Sequence, residues 1–196
     1  NLRTSNKISN FTQEQEYMSK NKNEIGLSKS ALRRQKEKEY RFQTILSAAE
    51  ILFAKEGYHR TTMENIADSA EVSVGTVYFY FKNKEHLLLH LIDNVGYNLR
   101  KLMGDAFKQP DSTLDGIQNA GLSFFRDFCL KHPEKVSIIF LEAVGQSPEV
   151  EKKRQYLLGK IIKDLRQALE RVSEKQDLQY RNPYSPEVMA VCILGI

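Results

Sequence analysis

With 196 residues, 41% of them hydrophobic and 28% charged, the chain can fill one small and one medium helical domain sharing a core. No apolar run is long enough to span a bilayer, no signal-peptide pattern opens the chain, and its 2 cysteines, Cys129 and Cys192, lack metal-ligand spacing; these features exclude a disulfide framework and make the cytoplasm the expected compartment. The net charge of +4 is modest, so basic character matters only where it is local.

Residues 1–35 are poor in aliphatics and rich in Asn, Ser, Gln and Lys, a composition that seldom buries a core, and are expected to form an extension or tail. The chain opens on Asn1, which makes Met18 a candidate natural start, and a helix from Thr12 to Ser19 is expected to dock on a neighbour. Lys29, Arg33, Arg34, Lys36, Lys38 and Arg41 then crowd the approach to the first long helix. Such an arm can hold phosphates or reach a minor groove, so Arg33, Arg34 and Arg41 are candidate DNA contacts; a solvated helix start explains any one of them equally well. From Glu37 to about Glu56, Phe42, Ile45, Leu46, Ala49, Leu52 and Phe53 share one helical face, and Gly57 is placed to end the helix in the left-handed region.

Thr61 and Glu64 have the spacing of a capping box, and Met63, Ile66, Ala67 and Ala70 follow on one buried face. Glu71 and Val72 fill a turn, and Ser73 is a good N-cap for a second short helix to about Phe81. At about 100° per residue, Val74, Val77 and Phe81 cluster on one side while Gly75, Thr76, Tyr78 and Phe79 point away. The layout is that of a helix-turn-helix, and the outward residues suit the major groove: small side chains at the first turn, a Tyr hydroxyl for phosphate, and a Phe or Thr methyl for thymine. Packing on the next helix is a serious rival for Tyr80 and a weaker one for Phe79. Asn83 caps that next helix, and Lys84 in its first turn opposes the helix dipole; a phosphate nearby would offset the cost, whereas a solvated lysine needs no explanation.

This stretch resembles the DNA-binding domain of the tetracycline-repressor (TetR) family of bacterial regulators. The resemblance covers Glu39 to Leu91 and rests on Phe53, Ala54, Gly57 and Tyr58, then Thr62, Ile66, Ala67, Ala70, Val72, Ser73, Gly75, Thr76, Tyr78, Tyr80, Phe81, Lys84 and Leu87. It implies that Gly75, Thr76, Tyr78, Tyr80 and Lys84 contact DNA; Thr62, Ser73, Val74 and Phe79 complete the candidate set, with Val74 standing where many relatives are polar.

Beyond Asn83 the pattern is helical throughout, predicting an all-α chain with a tail over 1–35, a reader domain over 36–83 and a second domain over 84–196. Helices are expected from Lys84 to about Phe107, Leu114 to Leu130, Pro133 to Val144, Pro148 to Glu174, and from Pro186 onward, with breaks at Gln109-Pro110-Asp111 and at recurrent N1 prolines. The resemblance implies that this half binds a ligand and dimerises. Candidate pocket residues are Phe124, Phe125, Phe128, Ile138, Ile139, Phe140, Val144, Tyr156 and Ile161, suited to a hydrophobic or acyl-chain-like molecule. For any one of them plain core is the stronger reading. Leu157, Leu165, Ala168 and Leu169, with Val188, Met189, Cys192 and Ile193 of an apolar last helix, are the candidate interface of a homodimer. That helix stops in mid-pattern at Ile196, which predicts that the natural protein continues.

His86 and His90 stand i, i+4, a spacing that can bind metal, but no carboxylate or cysteine is expected to complete a dedicated site with them, and no nucleophile constellation or phosphate-binding glycine loop is present in the sequence. The expected function is a non-enzymatic, ligand-responsive regulator without cofactor or metal, most readily a repressor released from a palindromic operator. An architectural DNA-binding protein with a filled second domain is the alternative.

Overall fold

The computed structural model describes residues 28–108, 114–177 and 179–194, and every regular element among them is helical. The helix expected from Thr12 to Ser19 and the break at 109–111 lie outside the described residues. The chain divides after Arg41 into two units.

In the first, α1 (Lys29–Glu56) begins. The Ser28 hydroxyl accepts from the Ala31 N–H at 3.2 Å, and Glu37 pairs with Arg41 at 3.0 Å. The helix therefore starts well before Glu37 and takes in residues 29–35, which the sequence assigned to a tail. These residues carry no apolar stripe for periodicity to detect, yet Ala, Leu, Arg, Gln and Lys are good helix formers and the Ser28 cap starts them.

The second unit holds the rest of α1, where Ile45, Leu46, Ala49 and Phe53 are buried. Gly57, at φ +91°, ends the helix as expected. The short helices α2 (Met63–Ser69) and α3 (Val74–Tyr80) follow. Then α4 (Lys84–Lys108) buries Leu87, Leu88, Leu91, Ile92, Val95 and Leu99. At about 100° per residue these fall on one broad face, an arc of about 140°. One continuous cluster of buried side chains runs from Ile45 through α4 to Ile161, with no break at the 83/84 junction.

Two expected straight helices are instead composite. α5 (Leu114–Leu122) continues as a π-helical stretch, Ser123–Cys129, and α6 (Pro133–Ser137) as another, Ile138–Glu142. The wider turns show in the bonds from the Leu130 N–H to the Phe125 carbonyl and from the Ala143 N–H to the Ile138 carbonyl, both 3.0 Å. Apolar spacing cannot distinguish i→i+5 from i→i+4 bonding over one turn.

The chain closes with α7 (Pro148–Lys175), capped by Ser147, and α8 (Ser185–Leu194). Along α4 and α7, Glu85 accepts from the Ser147 hydroxyl at 2.5 Å, Asp93 pairs with Lys153 at 2.6 Å, and Arg100 pairs with Asp164 at 2.5 Å. The numbers rise together, so the two helices run parallel. Between these pairs Gly96 lets Leu157 approach so closely that a Cβ would overlap its side chain.

Candidate nucleic-acid interface

The α2–α3 pair is built by two caps. The capping box at α2 uses Thr62 and Asn65, not Thr61 and Glu64: the Thr62 hydroxyl accepts from the Asn65 N–H at 3.2 Å, and the Asn65 side chain accepts from the Thr62 N–H at 3.0 Å. Thr61 is fully buried, and its hydroxyl donates to the Gly57 carbonyl at 2.9 Å. That draws it into the preceding loop and shifts the cap by one residue. At α3 the Ser73 hydroxyl accepts from the Thr76 N–H at 3.1 Å and shares a 2.8 Å bond with the Thr76 hydroxyl. Between the helices Glu71 takes φ +54°, a left-handed turn residue that nothing in the residue type announces.

On α3, Val77 is buried, and Val74 and Tyr80 pack against the core. Tyr80 meets Phe42 edge-on at 6.2 Å and Phe79 at 5.1 Å between ring centroids. Tyr78 and Phe79, by contrast, are 49% and 71% exposed. Gly75, Ser73 and Thr62 are exposed and Thr76 is half-buried, which places small side chains at the first turn of α3. Arg33, Arg34 and Arg41 are exposed in the first unit.

Lys84 turns inward. Its ammonium donates to the carbonyls of Tyr58 at 2.6 Å, Thr61 at 2.9 Å and His59 at 3.2 Å, and lies 4.4 Å from the Tyr58 ring centroid. Burial pushes its pKa down. In place of the outside phosphate expected from sequence, three neutral carbonyls of the chain solvate the ammonium with their partial negative charge. Asn83 caps α4 as expected, its side chain accepting from the His86 N–H at 2.7 Å.

Two further contacts tie this region to later helices. The Glu142 carboxylate accepts from the Tyr58 N–H at 2.7 Å, and Lys135 pairs with the largely buried Glu50 at 2.5 Å. Sequence reasoning found neither, because the partners lie 84 and 85 residues apart and carry no local signal. His86 and His90 stand 4.7 Å apart ring to ring; among the described residues no group of three His, Cys, Asp or Glu is arranged to hold a metal.

Of the candidate pocket residues, Phe128, Ile138, Ile139 and Ile161 are buried, and Phe124 and Phe140 pack against the same core. Phe125, Val144 and Tyr156 are exposed, so they line no interior of this chain; Phe125, the residue after Phe124 on the π-helical stretch, points in another direction. Of the candidate interface residues, Leu157 and Leu169 are buried, while Leu165 and Ala168 pack against core clusters of the same chain. Val188, Met189, Cys192 and Ile193 on α8 face solvent. No helix among the described residues is long and apolar enough to cross a membrane.

Residues 45–91 match the profile of the bacterial regulatory proteins of the tetR family. The fatty acid metabolism regulator protein of Bacillus subtilis is 37% identical over 71 residues, 36% of this chain and 37% of that protein. The transcriptional repressor NicS of Pseudomonas putida is 28% identical over 132 residues, 64% of this chain and 60% of that protein. The matched stretches thus span from about a third to three fifths of these relatives. The fold is similar to that of the regulator FadR from Bacillus subtilis solved with stearoyl-CoA, at TM-score 0.64 and 22% identity over 79% of this chain and 81% of that one.

Proposed function

We propose that this chain, whose residues 45–91 match the tetR-family profile, is a ligand-responsive transcriptional repressor that works as a homodimer on a palindromic operator. The observation that carries the reading is the exposure of Tyr78 and Phe79 on a seven-residue helix. Leaving two aromatics in water forfeits apolar burial that a groove surface recovers. In this reading the first turn of α3 enters the major groove, where Gly75 permits close approach and Thr76 meets a base edge. The Tyr78 hydroxyl donates to a phosphate and Phe79 meets a thymine methyl, with Thr62, Ser73 and Tyr80 at the margin. Arg33, Arg34 and Arg41 supply sequence-independent phosphate contacts.

The reader comprises residues 36–83 and the sensor residues 84–196. The effector is an apolar small molecule held among α5, α6 and α7 beside Phe124, Phe128, Ile139 and Phe140, a site that favours burying a hydrocarbon chain. The FadR neighbour was solved with stearoyl-CoA, whose acyl part is a hydrocarbon chain of this kind. Half-sites lie about 34 Å apart, one helical turn, so an effector that shifts α4 and changes reader spacing by a few ångströms costs contacts in one half-site. Differential affinity of the effector for the two spacings makes the coupling allosteric.

The test is selection of duplexes from a random-sequence library by the full chain. An inverted repeat should be enriched, and Phe79→Ala should lose it. Enrichment of no sequence over bulk duplex overturns the reading.

A further inference from the structure

The loop of residues 57–61, between α1 and α2, is held from two sides. Lys84 places its ammonium on the carbonyls of Tyr58, His59 and Thr61, which engages all three N–H donors of a lysine. From the other side the Glu142 carboxylate accepts the Tyr58 N–H at 2.7 Å. Tyr58 thus has a negative group on its N–H and a positive group on its carbonyl, both charge-assisted bonds of the stronger kind. The next residues are Thr61, buried and bonded to the Gly57 carbonyl, and Thr62, the N-cap of α2. Where this loop lies therefore decides where α2 starts, and through α2 where α3 points.

Glu142 is the last residue of the π-helical stretch at the end of α6, behind the buried Ile138 and Ile139. A π turn holds one residue more than an α turn, so its loss would rotate Glu142 by about 100° about the helix axis and take the carboxylate off Tyr58. We infer that Glu142 is a positioning residue for DNA recognition: with Lys84 it latches the 57–61 loop, and it makes the presentation of α3 depend on the state of the 138–142 segment. The inference rests on the reading that α3 meets DNA. It supplies a route from sensor to reader separate from movement of α4.

Charge alone predicts the opposite sign. Removing a carboxylate from a DNA-binding chain raises its net charge and should tighten binding. The latch predicts weaker binding. Using the full chain and the duplex that the wild type enriches, Glu142→Ala should lose about tenfold in affinity, the scale of one hydrogen bond to a charged group. The slope of log affinity against log salt should stay unchanged, and hydrogen exchange at the Tyr58 amide should quicken at least about tenfold. Glu142→Gln keeps an acceptor oxygen and should recover most of both effects. Lys84→Ala should likewise lower affinity without lowering the salt slope, because its ammonium serves carbonyls and not phosphate.

Glu142→Ala binding as tightly as wild type or tighter overturns the inference, as does a Gln variant no better than Ala. If the Ala variant does not fold, the Gln variant decides: its Tyr58 amide must stay protected and its affinity must stay within about threefold of wild type, and failure of either overturns the inference. If the wild type enriches no duplex, the DNA reading itself fails. The latch is then judged on Tyr58 exchange, and unchanged exchange in Glu142→Ala overturns it independently.

Discussion

In the proposed reading, Tyr78 and Thr76 are expected to separate affinity from sequence choice within one helix turn. Tyr78→Phe keeps the ring and removes only the hydroxyl, so affinity should fall about three- to tenfold on every duplex, as for one lost hydrogen bond. Thr76→Val, next to the Ser73 cap, should instead reorder the preferred bases. Anisotropy titrations over a panel of single-base duplex variants check both, and a Tyr78→Phe effect confined to one sequence would contradict its phosphate role. His90 carries a different prediction. Burial first, then His86 and Lys153, hold its imidazole down to about 4, edge-on to Phe42 and Phe81 at 5.5 Å. A depressed histidine pKa means the unfolded chain binds the extra proton. The stability from a neutral His90 is therefore complete above the ordinary value of about 6.5 and is lost as pH falls from there toward 4. Asp93, raised by burial, opposes the loss at the acid end. Thermal melts across that window should show a fall in Tm that is smaller in His90→Asn.

Helix packing gives predictions of opposite sign at two glycines. On α4, Gly96 faces Leu157 of α7 with no space for a methyl, whereas Gly159 on α7 has open space around its Cβ position. Gly96→Ala should destabilise by about 1–3 kcal/mol, the scale of overpacking a core. Gly159→Ala should stabilise by about 0.5–1 kcal/mol through helix propensity. Urea denaturation checks both, and a neutral Gly96→Ala would show that the α4–α7 contact yields easily. The same contact explains why Leu157, read from sequence as an interface residue, belongs to the interior of its own chain. Its apolar stripe was legible, but which of two possible partners covers the stripe was not.

For the whole molecule the test concerns α8, whose Val188, Met189 and Ile193 are exposed large hydrophobics on one short helix. Apolar surface of this kind favours a partner subunit. The wild-type chain should be dimeric at micromolar concentration by light scattering, and Ile193→Glu should be monomeric and lose tight binding to the duplex that the wild type enriches. A wild-type monomer, or a dimeric Glu variant, contradicts this assignment.

Much of the reader was legible because its signals are local. The Gly57 stop, the Ser73 cap, the Asn83 cap and the inward Val77 and Phe81 each depend on residues within one or two turns, where the 3.6-residue period and the chemistry of a short polar side chain act. Even the misplaced cap at α2 erred by one residue only, since two adjacent threonines satisfy the same local rule and burial of Thr61 chose between them. Features set by residues far apart in sequence depend instead on the folded arrangement. Lys84 faces carbonyls because the loop at 57–61 folds back over the start of α4, and Glu142 meets Tyr58 because α6 ends beside that loop. The π-helical turns and the parallel register of α4 and α7 belong to the same class. Residue types establish which groups are able to form such bonds, but the choice of partner depends on three-dimensional proximity, which no spacing along the chain encodes.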